Sequence, residues 1–535
     1  MWHKQFYIIA IFLLLIVAIL AWFHPIYLNA YLILIPLIFV GIADTYSKNN
    51  VLYNYPVIGH IRYFMEFISP EIRQYFLEDD KSGRPYSRDQ RDLIKARAKG
   101  FDGVHPFGTD QDIKNVGYNF AVHSMSVKTV PEDAARIIIG GPQCRQPYNS
   151  SRLNISAMSF GAISAKAVLA MNKGAKLGNF SQDTGEGGLT DYHLKYDADV
   201  IWEVASAYFG CRTAEGRFDP VQFQQKALLA PIKMINIKLS QGAKPSDGGL
   251  LLGSKVTPEI AKYRGIPVGQ DCHSPAMHSE FDSPIGLMKF VARLRELAAG
   301  KPVGFKLCIG RRSDFLGICK AMLATNILPD FITIDGAEGG TGAAPFEYSN
   351  YLGLALDEAL PFVHSSLVGC NLRKHIKIMA SGKVVDGFDI MHKVALGADA
   401  CNVARPMMFA VGCIQAMRCH TGKCPTGVTT QNKKRQAAID VNTKGLHVKN
   451  YHEATIKSFL NLVGAIGVDH PDQLTPAMIW HRLDNQKAKT YAQLYDYLKP
   501  GELLGENIPK DFAQDWQDAD ANHFYQVAEN ANAHI

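Results

Sequence analysis

The chain has 535 residues, 47% hydrophobic and 20% charged, a balance that suits one large core or two modest ones and excludes a disordered or collagen-like chain. A net charge of +6 is small for that length, and no basic stretch is interleaved with aromatics, so nucleic acid is not an expected partner. The ten cysteines are unevenly spread and include one tight cluster, the distribution of a reduced, cytosolic enzyme and not of a disulfide-stapled domain.

Phe6 to Phe23 is almost unbroken apolar sequence, and after His24-Pro25 a second apolar run goes from Ile26 to Ala43. Each is about 18 residues, near the lower limit for crossing a bilayer core of about 30 Å. Pro25 cannot easily continue the first helix, so residues 1–48 read as a transmembrane helical hairpin with a tiny turn. Lys4 precedes the pair and Lys48, Arg62 and Arg73 follow it, while the turn carries no Lys or Arg. The positive-inside bias then puts both ends on the cytoplasmic side of the inner (cytoplasmic) membrane, with the catalytic body facing the cytoplasm. The rival readings are a signal peptide and a helical hairpin buried inside a globular domain. Against the first, the initial run is longer than a usual signal core and no small-residue cleavage site follows it.

Residues 49–150 read as a helical collar and lead-in. Within them SPEIRQYF and SRDQRDLIKARAKG have the pattern of surface helices, with Ser69-Pro70-Glu71 and Ser87-Arg88-Asp89 as their expected starts. From Leu153 the pattern becomes strand, loop, helix, repeated. The strand-like runs are 153–158, 179–181, 234–239, 268–271, 303–308, 331–335, 376–380 and 400–404, and helical stretches such as 285–299, 315–325 and 351–367 separate most of them. About eight repeats over ~260 residues predict an α/β fold, a (β/α)8 TIM barrel, over residues 151–440. The rival is a doubly wound open sheet, and the lack of GxGxxG after the first strand counts against it. Residues 441–535 are polar and are expected to form a C-terminal helical extension around the barrel.

In a barrel the residues just after each strand converge on one face. Here they are Ser159-Phe160-Gly161, the stretches 184–188 and 240–244, His273-Ser274, Lys306 with Ile309-Gly310, the stretch 335–342 with Gly339 and Gly340, Ser381-Gly382-Lys383, and Ala404-Arg405. The set is glycine-rich where a flat ligand must approach backbone, and it carries cations suited to an anionic ring. Reduced flavin holds negative charge, and Lys306 is the lysine expected to stabilise it; the alternative for a single such lysine is a surface ion pair. The last two turns each follow a strand-like run and open a helix, so consecutive amides there form a site for a phosphate dianion.

Directly behind that cradle come Cys413, Cys419 and Cys424, spaced C-x5-C-x4-C, with Pro425 after the last. Three thiolates fit a [3Fe-4S] cluster, and a proline after a ligand cysteine is common in such sites. Zinc held by these cysteines with His420, and plain buried thiols, are the alternatives. The adjoining phosphate cradle favours a redox centre, because an electron relay has to sit within reach of a flavin.

GAKPSDGGLLLG, TGEGG, DGAEGGTGAAP and CIQAMRCHTGKCPTGVTTQ closely resemble the synthase domain of glutamate synthase, and the chain is similar to stand-alone FMN-binding glutamate synthase family proteins from about Gln74 to the 430s. The resemblance implies a TIM barrel, FMN and a [3Fe-4S] cluster. It implies reductive amination of 2-oxoglutarate by ammonia, with hydride from the flavin, to give L-glutamate. Carried over by position, Met158, Ser159, Phe160 and Gly161 would lie against the flavin ring, and Glu186 would stand near the oxo acid. Lys306 would serve flavin and substrate, and Gly382 and Lys383, with Ala404 and Arg405 beside them, would hold the phosphate.

Two departures touch the expected substrate side. Ser274 to Glu280 replaces a proline- and histidine-rich loop, and Cys308 to Arg312 replaces a serine–glutamate pattern. The chain begins Met1-Trp2 where the large enzymes begin with a nucleophilic cysteine, so glutamine hydrolysis is not expected. Ammonia would come free or from a separate glutaminase subunit, and electrons from ferredoxin or a separate reductase subunit. A second reading is a membrane-tethered FMN and iron–sulfur electron-transfer or assembly subunit without oxo-acid turnover.

Overall fold

The computed structural model describes residues 2–525, which divide between Asp89 and Gln90 into two compact units. In the first, α1 (Trp2–Phe23) leads through a 3-10 turn (Pro25–Ala30) into α2 (Tyr31–Asp44). Lys4–Phe23 and Pro25–Asp44 are 20 residues each with mean hydropathies of 3.0 and 2.2, long and apolar enough to cross a membrane. A Cβ on Gly41 would lie 2.1 Å from the Phe6 ring, so only glycine lets the two helices approach there. Tyr31 Oη donates to Leu14 O at 2.9 Å across the same pair. The expected helix start at Ser69-Pro70-Glu71 is not one: these residues lie inside α3 (Gly59–Ile72). Pro70 removes one backbone bond near the helix end, and the chain passes into a π turn over Arg73–Leu77.

The second unit is organised by eight parallel strands closed into a barrel: β1 (Leu153–Ile155), β2 (Gln182–Asp183), β3 (Val200–Val204), β4 (Ile232–Lys238), β5 (Val303–Leu307), β6 (Phe331–Asp335), β7 (Lys377–Ser381) and β8 (Ala400–Val403). Each pairs with its neighbours in sequence, and β8 closes on β1. This is the (β/α)8 barrel expected from the alternating pattern.

The helices between strands are α4 (Ala165–Gly178), α5 (Asp191–Leu194), α6 (Pro220–Ala227), α7 (Pro284–Leu297), α8 (Arg312–Thr325), α9 (Leu356–Gly369), α10 (Gly387–Ala395) and α11 (Arg405–Val411). Their starts are written locally. Ser164, Asp219, Ser283 and Asp386 each accept a backbone N–H as N-cap, and Pro220 and Pro284 occupy the first helical position.

Two of the expected strands move. The second lies at Gln182–Asp183, just beyond 179–181. The run 268–271 is not in the barrel at all: Pro267 and Gly269, the latter at φ +74°, keep it in a loop, and Val268 is 55% exposed. The third barrel strand is Val200–Val204, whose apolar run is broken by Glu203 and is buried throughout.

Below the barrel the hairpin of Arg136–Ile139 and Tyr148–Ser151 plugs the N-terminal ends, with Ile137, Ile139 and Tyr148 packed on Met234, Phe331 and Met379. Chemistry is therefore left to the opposite end.

The long helix α12 (Val441–Ala465) covers α4, and close approach needs Gly174, where a Cβ would lie 2.5 Å from Val448. His452 of α12 stacks on Phe180 at 3.9 Å between ring centres and meets Ser151 Oγ at 3.0 Å. The C-terminal stretch is not purely helical. Ile479–Arg482 and Ala488–Thr490 form a hairpin that takes Asn119–Ala121 as a third antiparallel strand, consistent with the polar Asp484-Asn485-Gln486 turn between alternating runs.

Candidate functional site

A cleft of about 1150 Å³, its solvent mouth included, opens at the C-terminal ends of the strands. Its walls are loops that only glycine lets come together. A Cβ on Gly185, at φ +65°, would lie 2.5 Å from Ser159 N, and one on Gly242 would lie 1.8 Å from Gly336 O. Gly242 N donates to Asp335 Oδ2 at 2.8 Å, so the loop after β4 rests on the end of β6.

Met158, Ser159, Glu186, Gly340, Ala404 and Arg405 line this cleft. Phe160 lies under the wall, its ring 5.1 Å from Tyr192 and 5.9 Å from Tyr263, and Gly161 backs onto Arg264. A Cβ on Gly339 would lie 2.9 Å from Gly336 O, in the turn that carries Gly340, and one on Gly340 would lie 2.6 Å from the Arg405 guanidinium carbon.

Ser381, Gly382 and Lys383 form the turn after β7, with Gly382 at φ +155° and Lys383 at φ +42°. That turn does not itself open a helix, contrary to expectation. α10 starts at Gly387 after the Asp386 cap, whose Oδ1 accepts from Asp389 N at 3.0 Å, while Asp389 Oδ2 reaches back to accept from Val385 N, just before the cap, at 2.7 Å. A phosphate there would be met by the turn's own amides and by Arg405, whose Nη2 donates to Glu338 O at 3.2 Å.

Lys306 stands below the cleft floor and is not among its lining residues. Its Nζ donates to the Glu203 carboxylate, and in register with it on the neighbouring strands are Lys238 and Thr333. Burial opposes the Lys306 charge, but Glu203, Asp183 and Asp335 outweigh it and hold the ammonium above its ordinary range. Asp183, fully buried beside Glu203, is pushed well up, with Lys306 opposing.

Glu186 is the other half of the electrostatics. Burial would raise its carboxyl, but Lys238, Lys244 and Arg264 bring it down to about 2. Lys238 Nζ donates to it directly, and the Lys238 carbonyl meets His278 Nε2 at 2.9 Å. Burial lowers His278 to about 4, so its ring is neutral.

Sequence reasoning placed Lys244 among the strand-end residues but missed Lys238, Lys255 and Arg264, further cations of the cleft, together with Glu203, which also lines it, and Asp183 beneath. Lys238 closes a strand that reads IKMINIK, and Glu203 interrupts VIWEV; a charge inside an otherwise apolar strand is the signal that would have found both. Gln241 Nε2 is buried without a hydrogen-bond partner at the cleft, a donor suited to a bound polar ring.

Cys413, Cys419 and Cys424 line one small cavity of about 260 Å³. Burial, then the other two thiols, raises Cys413 to about 11. Cys424 is lowered: burial opposes this, but hydrogen bonds from Thr429 and Thr426 prevail. Among the described residues no three His, Cys, Asp or Glu side chains close around a single metal ion. A multi-iron cluster spreads its thiolates wider than one tetrahedral ion does, so three sulfurs around one cavity fit the former better. His420 lines the cleft and not the cysteine cavity. Cys419 and Thr429 line both, so the two spaces share a wall.

Residues 121–469 match the conserved region in glutamate synthase. The glutamate synthase large subunit-like protein YerD of Bacillus subtilis (strain 168) is 36% identical over 479 residues, covering 82% of this chain and 91% of that one. The archaeal glutamate synthase [NADPH] of Methanocaldococcus jannaschii is 35% identical over 321 residues, which span only 60% of either chain. Among solved structures, a flavocytochrome b2 double mutant with pyruvate bound gives a TM-score of 0.42 at 13% identity, covering 81% of this chain and 97% of that one.

Proposed function

The chain belongs to the glutamate synthase family, and from that premise we propose that it is a membrane-tethered FMN and [3Fe-4S] enzyme that makes L-glutamate from 2-oxoglutarate and ammonia. The observation that supports this most is the wall shared by the large cleft and the cysteine cavity, which would put a flavin and a cluster within electron-transfer reach.

The cleft would hold FMN, with Met158 and Ser159 on one wall and Arg405 toward the phosphate end. Bound FMN would supply hydride to the imine carbon of the substrate. The protein's own part follows from its charges. Glu186 stays ionised at neutral pH, so it accepts hydrogen bonds only and favours a positively charged imine, the better hydride acceptor. Lys244 and Arg264, on the same cleft, meet the substrate's carboxylates. Glu203 on the cleft floor, with Asp183 and Lys306 beneath it, would fix the ground on which Lys238 stands.

Cys413, Cys419 and Cys424 would bind the cluster, fed by ferredoxin or a separate reductase subunit, with ammonia free or from a separate glutaminase subunit. The two apolar helices would anchor the chain in the inner membrane with the barrel in the cytoplasm.

The test is anaerobic. Detergent-purified, dithionite-reduced protein is mixed with ammonium and a panel of 2-oxo acids while flavin absorbance is followed. Reoxidation by 2-oxoglutarate plus ammonium, and not by either alone, is expected. Reoxidation by no oxo acid would instead support an electron-transfer or assembly subunit.

A further inference from the structure

Lys255 ends the short 3-10 turn Gly253–Lys255, is only 5% exposed, and lines the cleft. Its Nζ donates to Ala162 O at 3.1 Å and to Cys419 O at 3.3 Å, so one ammonium ties the loop after β1 to the cysteine loop. Its stem passes Gly422, where a Cβ would lie 3.8 Å from Lys255 Cγ. Among the described residues no carboxylate lies within 4.0 Å of it, although Lys238, Lys306 and Lys393 each have one. A buried cation satisfied only by two carbonyls is expensive to keep unless a negative charge is near.

We propose that Lys255 is a positioning residue for the cysteine centre: its positive charge, held on the Cys419 backbone, stabilises the reduced form of a thiolate-bound iron–sulfur cluster. The inference rests on the cluster reading of Cys413, Cys419 and Cys424. Three thiolates leave such a cluster negatively charged, and reduction adds one more negative charge. A cation at close range therefore favours the reduced state, and its removal favours the oxidised one. Lys255 also borders the cleft, so the charge lies on the wall that electrons would cross.

The experiment uses full-length, detergent-purified protein, with iron per chain measured first. The cluster is then titrated potentiometrically and followed by electron paramagnetic resonance in wild type, Lys255→Gln and Lys255→Arg. Gln keeps a donor and loses the charge; Arg keeps both. At the poise where half the wild-type cluster is reduced, the reduced-to-oxidised ratio is expected to fall roughly tenfold in Lys255→Gln and to change less than about twofold in Lys255→Arg. An unchanged ratio in iron-replete Lys255→Gln overturns the proposal. Loss of iron from both variants also overturns it, since the lysine is then only scaffold. Wild type purified without iron fails the cluster reading itself, before any variant is compared.

Discussion

Lys238 Nζ donates to the Glu186 carboxylate at the edge of the cleft, and this pair is the largest of the influences, with Lys244 and Arg264, that keep the half-buried carboxyl ionised. Both members follow from barrel geometry: Lys238 is the last residue of β4, and Glu186 lies in the glycine-rich loop after β2. Glu186→Gln is expected to slow reoxidation of reduced flavin by 2-oxoglutarate and ammonium roughly 10²–10³-fold, with flavin content unchanged. Lys238→Met removes the largest influence holding the carboxyl near 2, so the acid limb of the pH–rate profile moves upward in that variant. Stopped-flow absorbance across pH checks both.

Lys306 and Glu203 form a second pair, 5% and 1% exposed at their side chains. Breaking it from one side leaves a buried charge without a partner. Lys306→Met is expected to cost about 3–5 kcal/mol of barrel stability, and Lys306→Met with Glu203→Gln to recover much of that. Denaturant unfolding followed by tryptophan fluorescence reports it, since Trp202 lies buried in β3 next to Glu203.

Asp183 gives the same floor a pH dependence. Burial, then Glu203, lifts its carboxyl from 3.8 to about 7, so between those values the folded protein binds a proton that the unfolded chain has lost. Stability from this group is therefore present in full below the unfolded value and declines as pH rises toward neutrality. Asp183→Asn, which cannot ionise, is expected to flatten that decline in thermal midpoints measured over the window.

Gly242 tests the loop architecture. Its missing Cβ would fall 1.8 Å from Gly336 O, a backbone atom that cannot swing aside, and its N–H is committed to Asp335. Gly242→Ala is expected to separate the two loops and empty the cleft of flavin, read as loss of visible absorbance on purification. Gly310, where a Cβ would meet nothing within 4 Å, is the control position.

The barrel was legible because six of its strands fall on short, largely apolar runs bounded by turn residues, and because glycines mark the loops that face the ligand. The floor of the site was not. VIWEV and IKMINIK hide their charged residues inside apolar strands, and a linear pattern does not say that Glu203, Lys306 and Asp183 meet across three strands. The stretch 268–271 misled because its composition suits a strand while Pro267 and Gly269 forbid one. The phosphate turn misled in a smaller way: the Asp386 cap takes the helix start that the sequence left open for an anion.

The cysteines can be told apart before any metal is added. Burial raises Cys413 to about 11, whereas Cys424 is held below its ordinary value against burial by hydrogen bonds from Thr429 and Thr426. Alkylation near pH 8 of protein stripped of iron should therefore label Cys424 well before Cys413, because the thiolate is the nucleophile. Thr426→Val, which removes a partner 3.6 Å from Cys424 Sγ, should narrow the difference. The loaded protein makes the complementary prediction. With about three irons per chain in wild type, Ser at Cys413, Cys419 or Cys424 should each abolish the iron, while Cys144→Ser, whose thiol faces Gly300 O at 3.3 Å in the loop beyond the barrel's plugged end, should leave it intact. Zinc retained in place of iron would return the centre to a tetrahedral ion, with His420 as the missing ligand, and His420→Ala would then release it.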